Sequence, residues 1–222
     1  FEADLSTRPD KFVGDIEAWK RAEAYLAASL ESSDLSYQLA PGEGAFYGPK
    51  IDIHVKDAIG RRWQLSTIQV DFAQPENFDL EYASSENSRE RPVMIHRALL
   101  GSVERFVGVL VEHYAGAFPM WLSPVQVTIV PVADRHGEYA QSVGRRLKQA
   151  GMRVEVDTAD DTVGEKIRKA ITQKHPAIMV VGDSDVDNNT AGLRLRGDDT
   201  EERGLSVESA IERLKDLAAP PR

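Results

Sequence analysis

The chain has 222 residues, 41% hydrophobic and 28% charged, which predicts one large or two modest globular domains, and no apolar run approaches the roughly 18 residues of a membrane-spanning helix. Its net charge of −9 argues against promiscuous nucleic-acid binding, whose affinity comes from neutralising phosphates. With no cysteine, internal disulfides and thiolate metal sites are excluded, as suits a reducing compartment.

The first residues, FEADLSTRPDKF, show neither a basic segment nor an apolar one of the kind that makes a signal peptide. They begin in mid-pattern and without Met, which suggests a fragment. Residues 15–32 predict a helix with Trp19, Ala22, Leu26 and Leu30 on one face. LAPGEGAFYGPK reads as a Gly- and Pro-rich loop. Gly44, Gly48 and Lys50 invite a phosphate-loop reading, but Pro49 has no N–H to donate and no Ser or Thr follows the lysine. A plain turn whose Phe46–Tyr47 pair lines a pocket is the alternative.

The stretch at 51–72 predicts two antiparallel strands around a turn at 57–60. Alternation in WQLSTIQVDF puts Gln64, Ser66, Ile68 and Val70 on one face. Trp63, Leu65, Thr67, Gln69 and Asp71 fall on the other, facing either solvent or the floor of a cleft. A polar connection over 74–92 leads to PVMIHRALLGSVERF, predicted as a strand, a tight turn near Gly101 and a helix over 101–114. His96 and Arg105 then either share the mouth of one sheet or are a core histidine beside a surface arginine. For zinc, His96 lacks partners at ligand spacing among His54, His113, His136 and His175.

GAFPMWLSPVQ, with two prolines, marks a boundary placed between residues 122 and 123. Residues 1–122 carry 12 basic and 19 acidic side chains, net −7, while 123–222 carry 15 and 17, net −2, so a local basic patch in the second half stays possible. There the pattern alternates: strand VQVTIVPV, a helix over 135–150, strand MRVEVD, a helix over 162–174, strand AIMVVGD, short strand GLRLRG, and a closing helix over 207–218. The expected fold is therefore α+β with an antiparallel sheet, followed by a small α/β domain with a mostly parallel sheet. Asp157, Asp160 and Asp161 read as charges complementing a helix N-terminus. Arg194 and Arg196, two apart on one strand, would either meet bases or phosphates or be exposed edge charges.

LSTRPDKFVG, GEGAFYGPKID, WQLSTIQVDF, PVMIHRALLGSVERF and FPMWLSPVQV, taken in order, resemble the threonyl-tRNA synthetases, a family of class II aminoacyl-tRNA synthetases. The resemblance spans the chain and is weaker after Ser123. It implies an ATP-dependent ligase that activates threonine and transfers it to tRNA(Thr), working as a cytoplasmic homodimer with no membrane association. This chain would be the C-terminal part: the end of the catalytic domain (1–122) and an anticodon-binding domain (123–222). Arg105 matches the motif 3 arginine that clamps ATP, a task for a permanently charged, forked cation. His96 matches one of three zinc ligands that grip threonine. Lys50 matches a residue near the reacting centre, Gln64 and Thr67 border the adenylate, and Tyr47 and Gln69 line the threonine pocket. Asp185 and Arg194 match anticodon contacts. ATP enters with Mg2+.

Where the family more often has Cys–Gly, this sequence has Leu65–Ser66, both of them bulkier. Asp160, Asp161 and Thr162 also depart from the family's pattern. The resemblance implies that motifs 1 and 2, the other zinc ligands and any editing domain lie upstream, so this chain alone is expected to be inactive. The alternatives are a non-catalytic tRNA- or protein-binding module derived from such an enzyme, and a prolyl or histidyl relative, against which His96 in MIHR counts.

Overall fold

Alternating apolar residues in the first half fold into a sheet with one apolar and one polar face. A computed structural model describes residues 1–198 and 200–221, and the chain divides into two units, Phe1–His113 and Tyr114–Arg222. In the first unit β1 (Glu2–Ser6) leads to α1 (Ile16–Ser32), β2 (Tyr37–Ala40), β3 (Lys50–Lys56) and β4 (Arg62–Asp71). Then come α2 (Ala73–Asn77), the short hairpin β5 (Tyr82–Ala83) and β6 (Arg89–Glu90), β7 (Met94–Ala98) and α3 (Val103–Tyr114). The main sheet has the order β2-β1-β3-β4-β7. Only β1 with β2 is parallel; the other pairs are antiparallel.

The predicted helix begins where Asp15 accepts a hydrogen bond from the Ala18 amide at 3.0 Å, satisfying a donor that a helix start leaves orphaned. Its Leu26 and Leu30 pack with Ala3, Leu5, Ile51 and Val70. Trp19 is fully buried, wedged edge-on between Phe12 and Phe72, with its indole N–H donating to the Val13 carbonyl at 2.8 Å. Burying each such side chain contributes about 1.5–3 kcal/mol as an upper bound.

The strict alternation expected along β4 does not hold. In the β3–β4 ladder Ile53 pairs with Ser66, but the next residue, His54, pairs with Gln64. Leu65 is thus an extra residue, a β-bulge, and from there on the side chains change face. Gln64 therefore joins Thr67 and Gln69 instead of Ser66, Ile68 and Val70. The turn before α3 lies against the same place: Gly101 has φ +62°, and a Cβ there would stand 2.6 Å from the Leu65 carbonyl oxygen.

The second unit opens with β8 (Val127–Pro131), a 3-10 turn (Asp134–His136) and α4 (Gly137–Gln149), followed by β9 (Val154–Val156), α5 (Val163–Thr172) and β10 (Ala177–Val181). It closes with α6 (Asp183–Asn188), β11 (Thr190–Leu195), β12 (Glu202–Ser206) and α7 (Val207–Ala218). The sheet order is β12-β11-β10-β8-β9. β8, β9 and β10 are parallel, as the alternating pattern predicts, while β11 and β12 extend the sheet antiparallel, which makes it mixed. The strands β8 and β10 are sandwiched. Val127, Ile129, Met179 and Val181 pack with Val143, Leu147, Ala210 and Leu214, while Val130 and Ile178 pack with Ala170 of α5. Thr162 caps α5 in a reciprocal pair with Glu165. No helix among the described residues is long and apolar enough to cross a membrane.

Candidate functional site

The bulged sheet of the first unit gathers most of the residues singled out from sequence. Lys50, Gln69 and His96 stand side by side on three adjacent strands, as register partners. One step along, Asp52 pairs with Thr67. Tyr47, from the loop before β3, donates its hydroxyl to the Gln69 side-chain oxygen at 2.9 Å. Burial, with Asp71 and Asp52 nearby, raises the Tyr47 pKa, so the phenol remains a neutral donor. The loop is pressed onto the sheet at Gly48, where a Cβ would lie 1.9 Å from the Val70 carbonyl oxygen.

Asp52, which sequence reasoning passed over, is the hub. Only 4% exposed, its carboxylate accepts from the Ser6 hydroxyl at 3.0 Å, from the Lys50 ammonium and from the Gln64 side-chain amide. The strict alternation IDIHVK was the available signal, since it places Asp52 beside Lys50. Further along the same face, Arg62 binds Glu2 and Asp4. Among the described residues two buried side-chain polar atoms lack a hydrogen-bond partner, His54 Nδ1 and Thr67 Oγ1. Both belong to this face; His54 Nδ1 lies 3.6 Å from the Asp4 carboxylate, just beyond a hydrogen bond, so the Thr67 hydroxyl is the group this face leaves unsatisfied.

His96 donates from Nε2 to Asp71 at 2.7 Å, since the carboxylate only accepts; in the neutral ring the lone pair is then the one on Nδ1. Asp71 is 3% exposed and is held in turn by the amides of Ala73 and Gln74. Among the described residues no three His, Cys, Asp or Glu side chains converge as a metal site. A zinc ion needs about three protein ligands, which His96 with the other described residues does not supply. Arg105, at the start of α3, donates to the Gln64 carbonyl at 3.0 Å and stands 5.7 Å from the Trp63 ring centroid. Its link to the others is thus through the bulge backbone.

In the second unit the two anticodon candidates stand on different elements. Asp185 caps α6: one carboxylate oxygen accepts the Gly182 amide at 3.0 Å and the other the Thr190 hydroxyl at 2.8 Å. It lines a cleft of about 610 Å³ with Ser184, Gly192, Glu201 and Arg203. Arg194 opens on a separate recess of about 100 Å³ beside His175, and no described residue forms a hydrogen bond or ion pair with its guanidinium. Arg196, expected on the same strand face, lies past the end of β11 and is spent on the Lys174, Ala117 and Phe118 carbonyls. β11 is not an edge either, because β12 covers it. Asp157 departs from its helix-start reading: it is 5% exposed and caps its own loop at Ala159. Asp183, also missed, is held well below the usual carboxylate range by hydrogen bonds from Arg135 and His136.

Residues 9–114 match the family model of the tRNA synthetase class II core domain (G, H, P, S and T), and residues 126–217 match that of the anticodon binding domain. The chain is 49% identical over 217 residues to a threonine–tRNA ligase of Sulfurihydrogenibium sp., covering 98% of this chain and 34% of that protein. It is 50% identical to the one from Thermobifida fusca, covering 96% and 33%. It thus spans about a third of the length of these relatives. Among solved structures, the RNA binding domain of threonyl-tRNA synthetase from Cryptosporidium parvum is similar with a TM-score of 0.90 and 38% identity, covering 99% of this chain and 56% of that one. A putative threonyl-tRNA synthetase from Aeropyrum pernix follows at 0.69 and 28%, covering 98% and 52%.

Proposed function

The chain belongs to the threonyl-tRNA synthetase family of class II aminoacyl-tRNA synthetases, and from that premise we propose that it serves a threonine–tRNA ligase, as the end of the catalytic domain (1–122) and an anticodon-binding domain (123–222). The observation that carries the reading is the polar face on which Tyr47, Lys50, Gln64, Gln69 and His96 converge. In the proposed reaction a carboxylate oxygen of threonine attacks the α-phosphorus of ATP, which enters with Mg2+, and pyrophosphate leaves. Lys50 and Arg105 supply positive charge where it builds on the phosphates, and positioning provides most of the acceleration. Thr67 and Gln64 border the adenylate, while Tyr47 and Gln69 form one wall of the threonine pocket.

Zinc, when bound, would grip the amino and hydroxyl groups of threonine. His96, oriented by Asp71, offers one imidazole nitrogen to it. The remaining ligands must come from outside the described residues, so the chain alone neither holds zinc nor activates threonine in this reading. Arg194 and Asp185 are assigned to the anticodon of tRNA(Thr). The working form is a cytoplasmic homodimer. The test is ATP–pyrophosphate exchange by the full-length protein with each amino acid in turn, followed by charging of tRNA(Thr). Exchange that responds to threonine supports the reading; exchange driven by proline or histidine, or none, overturns it.

A further inference from the structure

We infer that Asp52 is a positioning residue for adenylate formation, acting through Lys50 and Gln64; this rests on the functional reading above. Asp52 lies in the middle of β3, nearly buried, with three donors on one carboxylate. Two of them are groups assigned to the reacting centre.

Each bond removes a different freedom. An ammonium on a four-carbon stem samples many rotamers; one carboxylate contact fixes it and aims its remaining N–H donors elsewhere. Gln64 could present either end of its amide to a ligand. A carboxylate accepts and never donates, so it takes the NH2 end and leaves Oε1 turned away from Asp52 as an acceptor. Asp52 thereby sets which chemistry Gln64 displays. The bulge at Leu65 makes the arrangement possible, since regular alternation would put Gln64 on the opposite face. Directly across the ladder, Thr67 is register partner to Asp52, and its hydroxyl is one of the buried orphans. Asp52 therefore stands beside a polar atom that the chain itself does not satisfy.

The test compares variants of the full-length protein in threonine-dependent ATP–pyrophosphate exchange. Asp52→Asn is expected to lower kcat at least about 30-fold, as loss of a preorganised contact does. In a Lys50→Met/Gln64→Met background the same change should cost less than about threefold, because residues acting through one another are not additive. Ser6→Ala removes the third donor without touching the other two, and should leave kcat within about threefold of wild type by the same logic.

Asp52→Glu keeps the charge and shifts it by one methylene, so a loss of about three- to tenfold is expected, again only where Lys50 and Gln64 are present. If Asp52→Asn does not fold by circular dichroism, this variant carries the comparison. Equal losses in both backgrounds, or a Ser6→Ala loss as large as that of Asp52→Asn, would overturn the inference alone. A wild-type protein without threonine-dependent exchange overturns the functional reading and the inference with it.

Discussion

The two sheets of this chain are built on opposite plans. The sheet of the second unit is packed on both faces, with β8 and β10 buried throughout most of their length. The sheet of the first unit is apolar on one face only; the other carries Glu2, Asp4, Lys50, Asp52, His54 and Gln64, and includes the unbonded Thr67 hydroxyl. The α3 helix even has no buried residue, and Val103, Val107 and Val111 are exposed. The candidate groups of the first unit therefore share a sheet face, where strand geometry spaces them. Those of the second, Asp185 and Arg194, sit at a helix cap and near a strand end, each beside a recess.

The largest expected effect tests the packing half of this contrast. Leu214 is fully buried in the second core, so Leu214→Ala should destabilise that unit by about 2–5 kcal/mol. Hydrogen exchange should rise across residues 126–217 and stay unchanged in β3 and β4; a rise in both would show that the units unfold together.

Next comes Arg105→Ala, which in the full-length protein is expected to lower threonyl-adenylate formation by at least about 100-fold, or roughly 3 kcal/mol, with tRNA affinity intact. Near-normal exchange in that variant would assign Arg105 to holding the bulge backbone and Trp63. Arg194→Ala should do the reverse: kcat/KM for charging tRNA falls about tenfold, within the roughly 1–3 kcal/mol of one base-reading arginine, while exchange stays within about twofold. Equal losses in both assays would erase the division between the units.

The smallest effect is a titration within the first unit. Burial of Asp57 opposes its charge, but hydrogen bonds from Trp63, Arg61 and the Arg61 and Ile59 amides outweigh this and lower its pKa from 3.8 to about 2. A carboxylate depressed in the folded state adds stability that is fully present above 3.8 and is lost as pH falls through about 2. The Trp63 indole N–H resonance, which reports the bond to Asp57, should titrate with a midpoint near 2. A midpoint at 3.8 would mean that the hydrogen bonds contribute nothing. Asp183 should behave in the same direction in the second unit, through Arg135 and His136.

Much of this could be read without coordinates, because the signals are local. The closing helix, α7, falls on its predicted residues, 207–218, since Ser206 caps it and its apolar period is regular. The strands at 51–72 and the turn at Gly101 follow from alternation and glycine. Short elements escaped. These are β1, β2, α6 and β12, of four to six residues each. The polar connection at 74–92 likewise hid α2 and the β5–β6 hairpin, which are five and two residues per element.

The sequence by itself determined which residues carry charge and reactivity and in what order they occur, because motif spacing and apolar period are properties of neighbouring positions. Tertiary structure alone decided which of them meet. The bulge at Leu65 arises from how β4 pairs with β3 and lies against Gly101, and it moves Gln64 to the face of Asp52 and Thr67. The two arginines of GLRLRG look equivalent in one dimension. β11 ends at Leu195, and the Arg196 guanidinium donates to three carbonyls, while no described residue bonds the guanidinium of Arg194. A side chain's face depends on ladder register, and its availability depends on which distant carbonyl lies within reach; neither is fixed by adjacent residues.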